Sequence, residues 1–78
     1  METQEISSRV GRLIRQVGSK VEGELPSSAE FRDLGLDSMD VVDLLNSVEH
    51  EFGIAVPDSG IPVITTVGAL VEFVETAL

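Results

Sequence analysis

The sequence predicts an all-α fold: a small four-helix bundle in which three main amphipathic helices are joined by a long first loop and a short, irregular third helix. Two observations carry this reading. Apolar residues recur at helical spacing in three separate stretches, each bounded by glycine, proline or a capping residue. The apolar share is 42%, yet Trp and Tyr are absent and Phe occurs three times, so the core has to be aliphatic. With 78 residues the chain reads as one small domain, 1–78, and folding hides only roughly 60% of the surface of such an unfolded chain.

The first helix is expected from near Thr3 to about Val17, with Ile6, Val10, Leu13, Ile14 and Val17 on one face. Glu2 and Glu5 sit near its positive start, and Gly18-Ser19 is the stop. A connection of roughly twenty residues, Gly18 to Asp37, follows, which is long for a compact domain. It carries the turn signal Leu25-Pro26-Ser27-Ser28, with Phe31 and Leu34 as anchors into the core.

The central helix is expected from about Ser38 to Phe52. Val41, Leu45, Val48 and Phe52 step by four, three and four along one face. Gly53 stands where a left-handed stop is needed, with Ile54 supplying the hydrophobic contact after it. The stretch Ile54–Asp58 reads as extended, since Pro57 pushes Val56 out of helical geometry. Pro62 is the residue that can open a single short turn of helix. Thr65 or Thr66 caps the last helix, whose stripe is Val67, Leu70, Val71, Val74 and Leu78.

Charge and composition narrow the function. The net charge is −9, and all five basic residues lie at or before Arg32; from Asp33 onward there are nine acids and no bases. That half repels phosphate-rich partners and favours a partner with a basic patch, so nucleic acid is disfavoured. There is no cysteine, hence no disulfide, no thiolate nucleophile and no cysteine metal site. No signal peptide or membrane-spanning run is visible, which makes a soluble cytoplasmic domain the expectation, and the chain is taken as a monomer. Catalysis is not expected. The single histidine, His50, lies about three turns beyond Ser38, roughly 18 Å along the axis, far outside hydrogen-bond reach. No phosphate-binding glycine loop is present, and the acids from Asp33 to Asp43 lack the alternate spacing of a calcium loop.

Ser38, at the mouth of an acidic amphipathic helix, has two readings. It can be the helix cap, with its hydroxyl accepting an orphan N–H. Alternatively the hydroxyl is exposed and carries a phosphate ester, set against the positive helix end and its free N–H groups. Asp37 can equally serve as the cap, and the spacing leaves both readings open.

The run Leu34-Gly-Leu-Asp-Ser-Met-Asp40 resembles the attachment motif of acyl carrier proteins, L-G-x-D-S-L-D. Agreement extends to Phe31, Val42, Leu44, Glu49, Glu51-Phe52-Gly53-Ile54, Pro57-Asp58 and Ile64-Thr-Thr-Val67, nearly the whole chain. The resemblance implies a bundle of the acyl-carrier type and a covalent 4′-phosphopantetheine on Ser38. A magnesium-dependent phosphopantetheinyl transferase would draw that group from coenzyme A. The thiol missing from the sequence would thus be imported, and acyl groups would ride on it as thioesters between loading, condensing and modifying enzymes. Asp37, Met39, Asp40, Asp43 and Glu49 match positions that face those partners. Two departures stand out. His50 replaces a common acid, and Ser59-Gly60-Ile61-Pro62-Val63 replaces a segment that is usually charged and helical. The second makes a specialised pathway as plausible as housekeeping fatty-acid synthesis. The nearest rival is a peptidyl or aminoacyl carrier, but those place Gly-Gly before His-Ser or Asp-Ser, whereas Leu36-Asp37 precedes Ser38 here. An unmodified helical adaptor for basic partners is the rival from another class. The absence of a linker after Leu78 points to a free-standing protein.

Overall fold

The computed structural model describes residues 1–18, 21 and 23–78. Three α-helices span Thr3–Val17 (α1), Ser38–Phe52 (α2) and Val67–Ala77 (α3), with single 3-10 turns at Phe31–Leu34 and Asp58–Gly60. Helix α1 packs against both α2 and α3. Its buried face is Ile6, Val10, Gly11, Leu13 and Ile14, while Val17 is half-buried. The helix ends at Gly18, whose N–H reaches Ile14 O at 2.8 Å. Ser19, the other half of the expected stop, lies outside the described residues.

The long first loop is fastened rather than free. Its tail lies along the start of α3: Phe31 N–H donates to Thr65 O at 2.9 Å, Val67 N–H to Ala29 O at 3.0 Å, and Gly68 N–H to Ser27 O at 2.9 Å. Glu30 and Thr66 form the isolated bridge at the centre of this seam. Phe31 is buried as expected, but Leu34 is only half-buried, and the second firm anchor is Leu36, which the helical patterns gave no reason to single out. Arg15 adds a tie from the helix side, donating to Gly23 O at 2.8 Å.

Helix α2 buries Leu44, Leu45, Val48 and Phe52. The stripe read from the sequence put Val41 in this set and left out Leu44, which is completely buried, whereas Val41 is half-buried. A core-facing stripe is wider than one row of side chains, so both neighbours of the row Leu45–Val48–Phe52 compete for the interior. Gly53 closes the helix at φ 66°, a left-handed conformation that glycine adopts without strain. The carbonyl of Glu49 accepts both Gly53 N–H at 2.9 Å and Ile54 N–H at 3.2 Å.

Between α2 and α3 the short extra helix is a single 3-10 turn, and it starts before Pro62 rather than at it. Pro57 O accepts Gly60 N–H at 2.8 Å, and Gly60 O then accepts the N–H groups of Val63 and Ile64. Pro62 has no N–H to give and is spanned by this pair of bonds. Ile61 packs partly against the core, while Val63 is 72% exposed. Thr66 caps α3 through its hydroxyl, which accepts Ala69 N–H at 3.1 Å. Val67, Leu70, Val71 and Val74 are buried, but Leu78 lies past the helix end and is 54% exposed.

Candidate functional site

The serine is delivered to the surface by two anchors and a turn. Phe31 plugs the loop into the core, and the 3-10 turn it begins ends at Gly35, in the left-handed region at φ 84°. That reversal drops Leu36 back into the core, with its N–H on Phe31 O at 3.1 Å. Asp37 and Ser38 then follow on the exposed side.

Asp37 settles which residue caps α2. Its Oδ1 accepts Asp40 N–H at 2.8 Å, and Asp40 Oδ2 accepts Asp37 N–H at 3.2 Å, a reciprocal capping box. Val41 N–H already donates to Asp37 O. The box therefore uses the N–H groups of residues 37 and 40 and leaves those of Ser38 and Met39 without a helical acceptor. Ser38 is the first residue of the helix proper, exposed, and its hydroxyl is not needed for capping.

Ser38 sits on a ridge between two depressions. On one side lies an apolar cleft of ≈ 410 Å³, walled by Phe31, Leu36, Val41 and Val42 from the loop and α2, and by Ile61, Pro62 and Ile64 from the opposite segment. Arg32, Glu30 and Thr65 stand at its polar margin, and Arg32 pairs with Glu30 at 3.0 Å. On the other side a smaller hollow of ≈ 220 Å³ is formed by Met39, Val42 and Asp43. Met39 is 75% exposed and Asp43 is exposed.

The acids that the sequence groups together are not equivalent. Asp37 and Asp40 are held in the capping box, and Asp43 stands in solvent. Glu49 is half-buried, and its Oε2 accepts Val56 N–H at 2.8 Å. Glu51 binds Arg9 at 3.3 Å and Arg12 at 2.7 Å, and the Arg9 guanidinium lies 5.6 Å from the Phe52 ring centroid. Both acids in the last turn of α2 stand at the helix end where a carboxylate is disfavoured by the backbone dipoles, and each has a local donor or cation.

These features suit a phosphate ester on the serine. The Ser38 hydroxyl is exposed, two N–H groups beside it are free, and an apolar cleft opens next to it. The family model described as the phosphopantetheine attachment site matches residues 8–74. The crystal structure of the acyl carrier protein from Thermotoga maritima superposes with a TM-score of 0.86 at 27% identity, covering 99% of this chain and 91% of that one. The chain belongs to the phosphopantetheine-attachment family of acyl carrier proteins. A second carrier has the same fold at lower identity. It is the solution structure of 3-oxo-butyl-ACP, an intermediate mimic from the actinorhodin polyketide synthase of Streptomyces coelicolor, with a TM-score of 0.71 at 19% identity, covering 100% of this chain and 91% of that one. As a carrier of this family the domain bears covalent 4′-phosphopantetheine, which implies a transferase to install it, and acyl carrier proteins work with the enzymes of acyl biosynthesis. Among the described residues no helix is long and apolar enough to cross a membrane.

Sequence reasoning missed three parts of this site. The far wall of the cleft, Ile61 and Ile64, comes from a segment with no periodic pattern. The capping box was readable in the Asp37-x-x-Asp40 spacing. The internal partners of Glu49 and Glu51 carry no local sequence signal.

Proposed function

We propose that Ser38 is the attachment residue and that the protein carries acyl intermediates as thioesters on its 4′-phosphopantetheine, delivering them to partner enzymes of fatty-acid, polyketide or related specialised biosynthesis. The observation that carries this is the division of labour at the start of α2: Asp37 caps the helix, which leaves the Ser38 hydroxyl exposed beside two free N–H groups at the mouth of the apolar cleft. When bound, the group supplies the thiol that this chain lacks. The role of the chain is to present the serine on a rigid helix start, to favour an anion there through the helix dipole, and to offer an apolar surface to what the arm carries.

Residues 1–78 act here as a single, monomeric, cytoplasmic carrier domain without catalysis of its own. Asp37, Asp40 and Asp43 present negative charge around the serine to basic patches on partner enzymes, and Met39 offers the apolar contact at the centre. The 59–63 segment keeps a specialised pathway level with housekeeping synthesis, since Val63 exposes apolar surface where the family is usually charged.

Intact mass decides the attachment. After incubation with coenzyme A and a phosphopantetheinyl transferase, the parent protein should gain one phosphopantetheine, and Ser38→Ala should gain none while keeping its helical circular dichroism. A folded Ser38→Ala protein that still takes up the group refutes the assignment.

A further inference from the structure

Glu49 gathers three N–H groups from the chain that follows it. Its carbonyl takes those of Gly53 and Ile54, and its carboxylate takes that of Val56 at 2.8 Å. Val56 is itself packed partly against the core, and the next residue, Pro57, supplies the carbonyl that starts the 3-10 turn. That turn sets Ile61 and Ile64, which form the far wall of the cleft beside Ser38. The side chain of Glu49 is eleven residues beyond Ser38, about 16 Å along the helix, too far to touch the serine itself.

We infer that Glu49 is a positioning residue, an internal latch that holds the 54–64 segment against α2 and so fixes the width of the cleft, rather than one of the charges that partner enzymes read. It deepens the carrier reading, because it assigns the shape of the cleft that the reading uses. A carboxylate at the C-terminal end of a helix is disfavoured by the dipole unless it finds a donor, and the Val56 N–H is that donor. Asp43 provides the contrast: it is exposed and lies against the hollow beside Met39.

The test separates charge from hydrogen bonding. Glu49→Gln removes the charge but keeps an oxygen that accepts an N–H, whereas Glu49→Ala removes both. In the apo protein, amide exchange at Val56 should be near parental in Glu49→Gln and about tenfold or more faster in Glu49→Ala, with faster exchange at Ile61, Val63 and Ile64 and none of this at Leu44 to Val48. For the transferase reaction with coenzyme A, the salt dependence of kcat/KM should be unchanged by Glu49→Gln and flattened by Asp43→Asn. Unaltered Val56 protection in Glu49→Ala overturns the latch, as does a salt dependence flattened by Glu49→Gln as much as by Asp43→Asn. The exchange measurement needs no modification of Ser38, so it stands or falls apart from the attachment assignment.

Discussion

Replacing Asp37 by Ala tests the link between capping and a free serine. The substitution deletes the acceptor of Asp40 N–H and leaves the backbone half of the capping box, Asp37 N–H to Asp40 Oδ2. Loss of a good N-cap costs about 1 kcal/mol, within a range of about 0.5–2. In a domain of this size that shifts the melting temperature by roughly 4–8 °C per kcal/mol. A second effect follows from what stands next in line. Ser38 is a strong capping residue, so in Asp37→Ala the helix can restart one residue later with the Ser38 hydroxyl turned onto the N–H of Val41. The transfer rate, measured well below the melting transition, should therefore fall more than the small loss of folded protein explains. Asp37→Asn separates charge from capping: Asn caps as well as Asp, so this variant should melt close to the parent and lose only the salt-sensitive part of the transfer rate. If Asp37→Ala melts with the parent, the capping box carries no stability. If Asp37→Asn transfers as poorly as Asp37→Ala at high salt, where its charge is screened, the freed-hydroxyl argument fails.

Two further outcomes follow from burial and charge. Leu44 is completely buried, so Leu44→Ala should cost about 2–5 kcal/mol in urea unfolding, a large part of the roughly 4–12 kcal/mol that 0.05–0.15 kcal/mol per residue allows this chain. A loss below that range would place Leu44 where the protein can collapse around it. Asp43→Lys should slow association with the transferase, an effect that added salt suppresses, while changing stability by no more than about 0.5 kcal/mol. Association indifferent to both the reversal and salt would make Asp43 a solubilising residue only.

The elements that local chemistry specifies were legible from the sequence. Helices α1 and α2 begin and end where the apolar stripes, Gly18 and Gly53 place them, because capping and periodicity act within a few residues. Thr65 and Thr66 were equally good caps on paper. The choice of Thr66 is made by the seam, which commits the Thr65 carbonyl to Phe31 and fixes the helix start one residue later. Ser38 was legible as a candidate but not as a free hydroxyl, since Asp37 and Ser38 cap about equally well and only the reciprocal bond from Asp40 separates them. The cleft was not legible. Its far wall depends on Glu49 reaching seven residues ahead to Val56, and no spacing rule announces that contact. Glu49 and Glu51 look like surface charge in the sequence, and what distinguishes them from Asp43 is a backbone donor in one case and two arginines from α1 in the other.

The seam between the first loop and the start of α3 also governs the order of assembly. Phe31, the plug from which the turn toward Ser38 is built, gives its N–H to Thr65, and Ala29 and Ser27 wait for Val67 and Gly68. These contacts close most of the span between the loop and the last helix, and long closures form late because their entropy is lost before any contact repays it. The residues of α1 and α2 all precede 65–68 in the chain, but isolated helices of about 15 residues are marginal in water, so they too gain their stability when the seam closes. The ledge that displays the serine is thus finished only when the last helix joins, so a chain stalled short of α3 displays its serine on an unfastened loop.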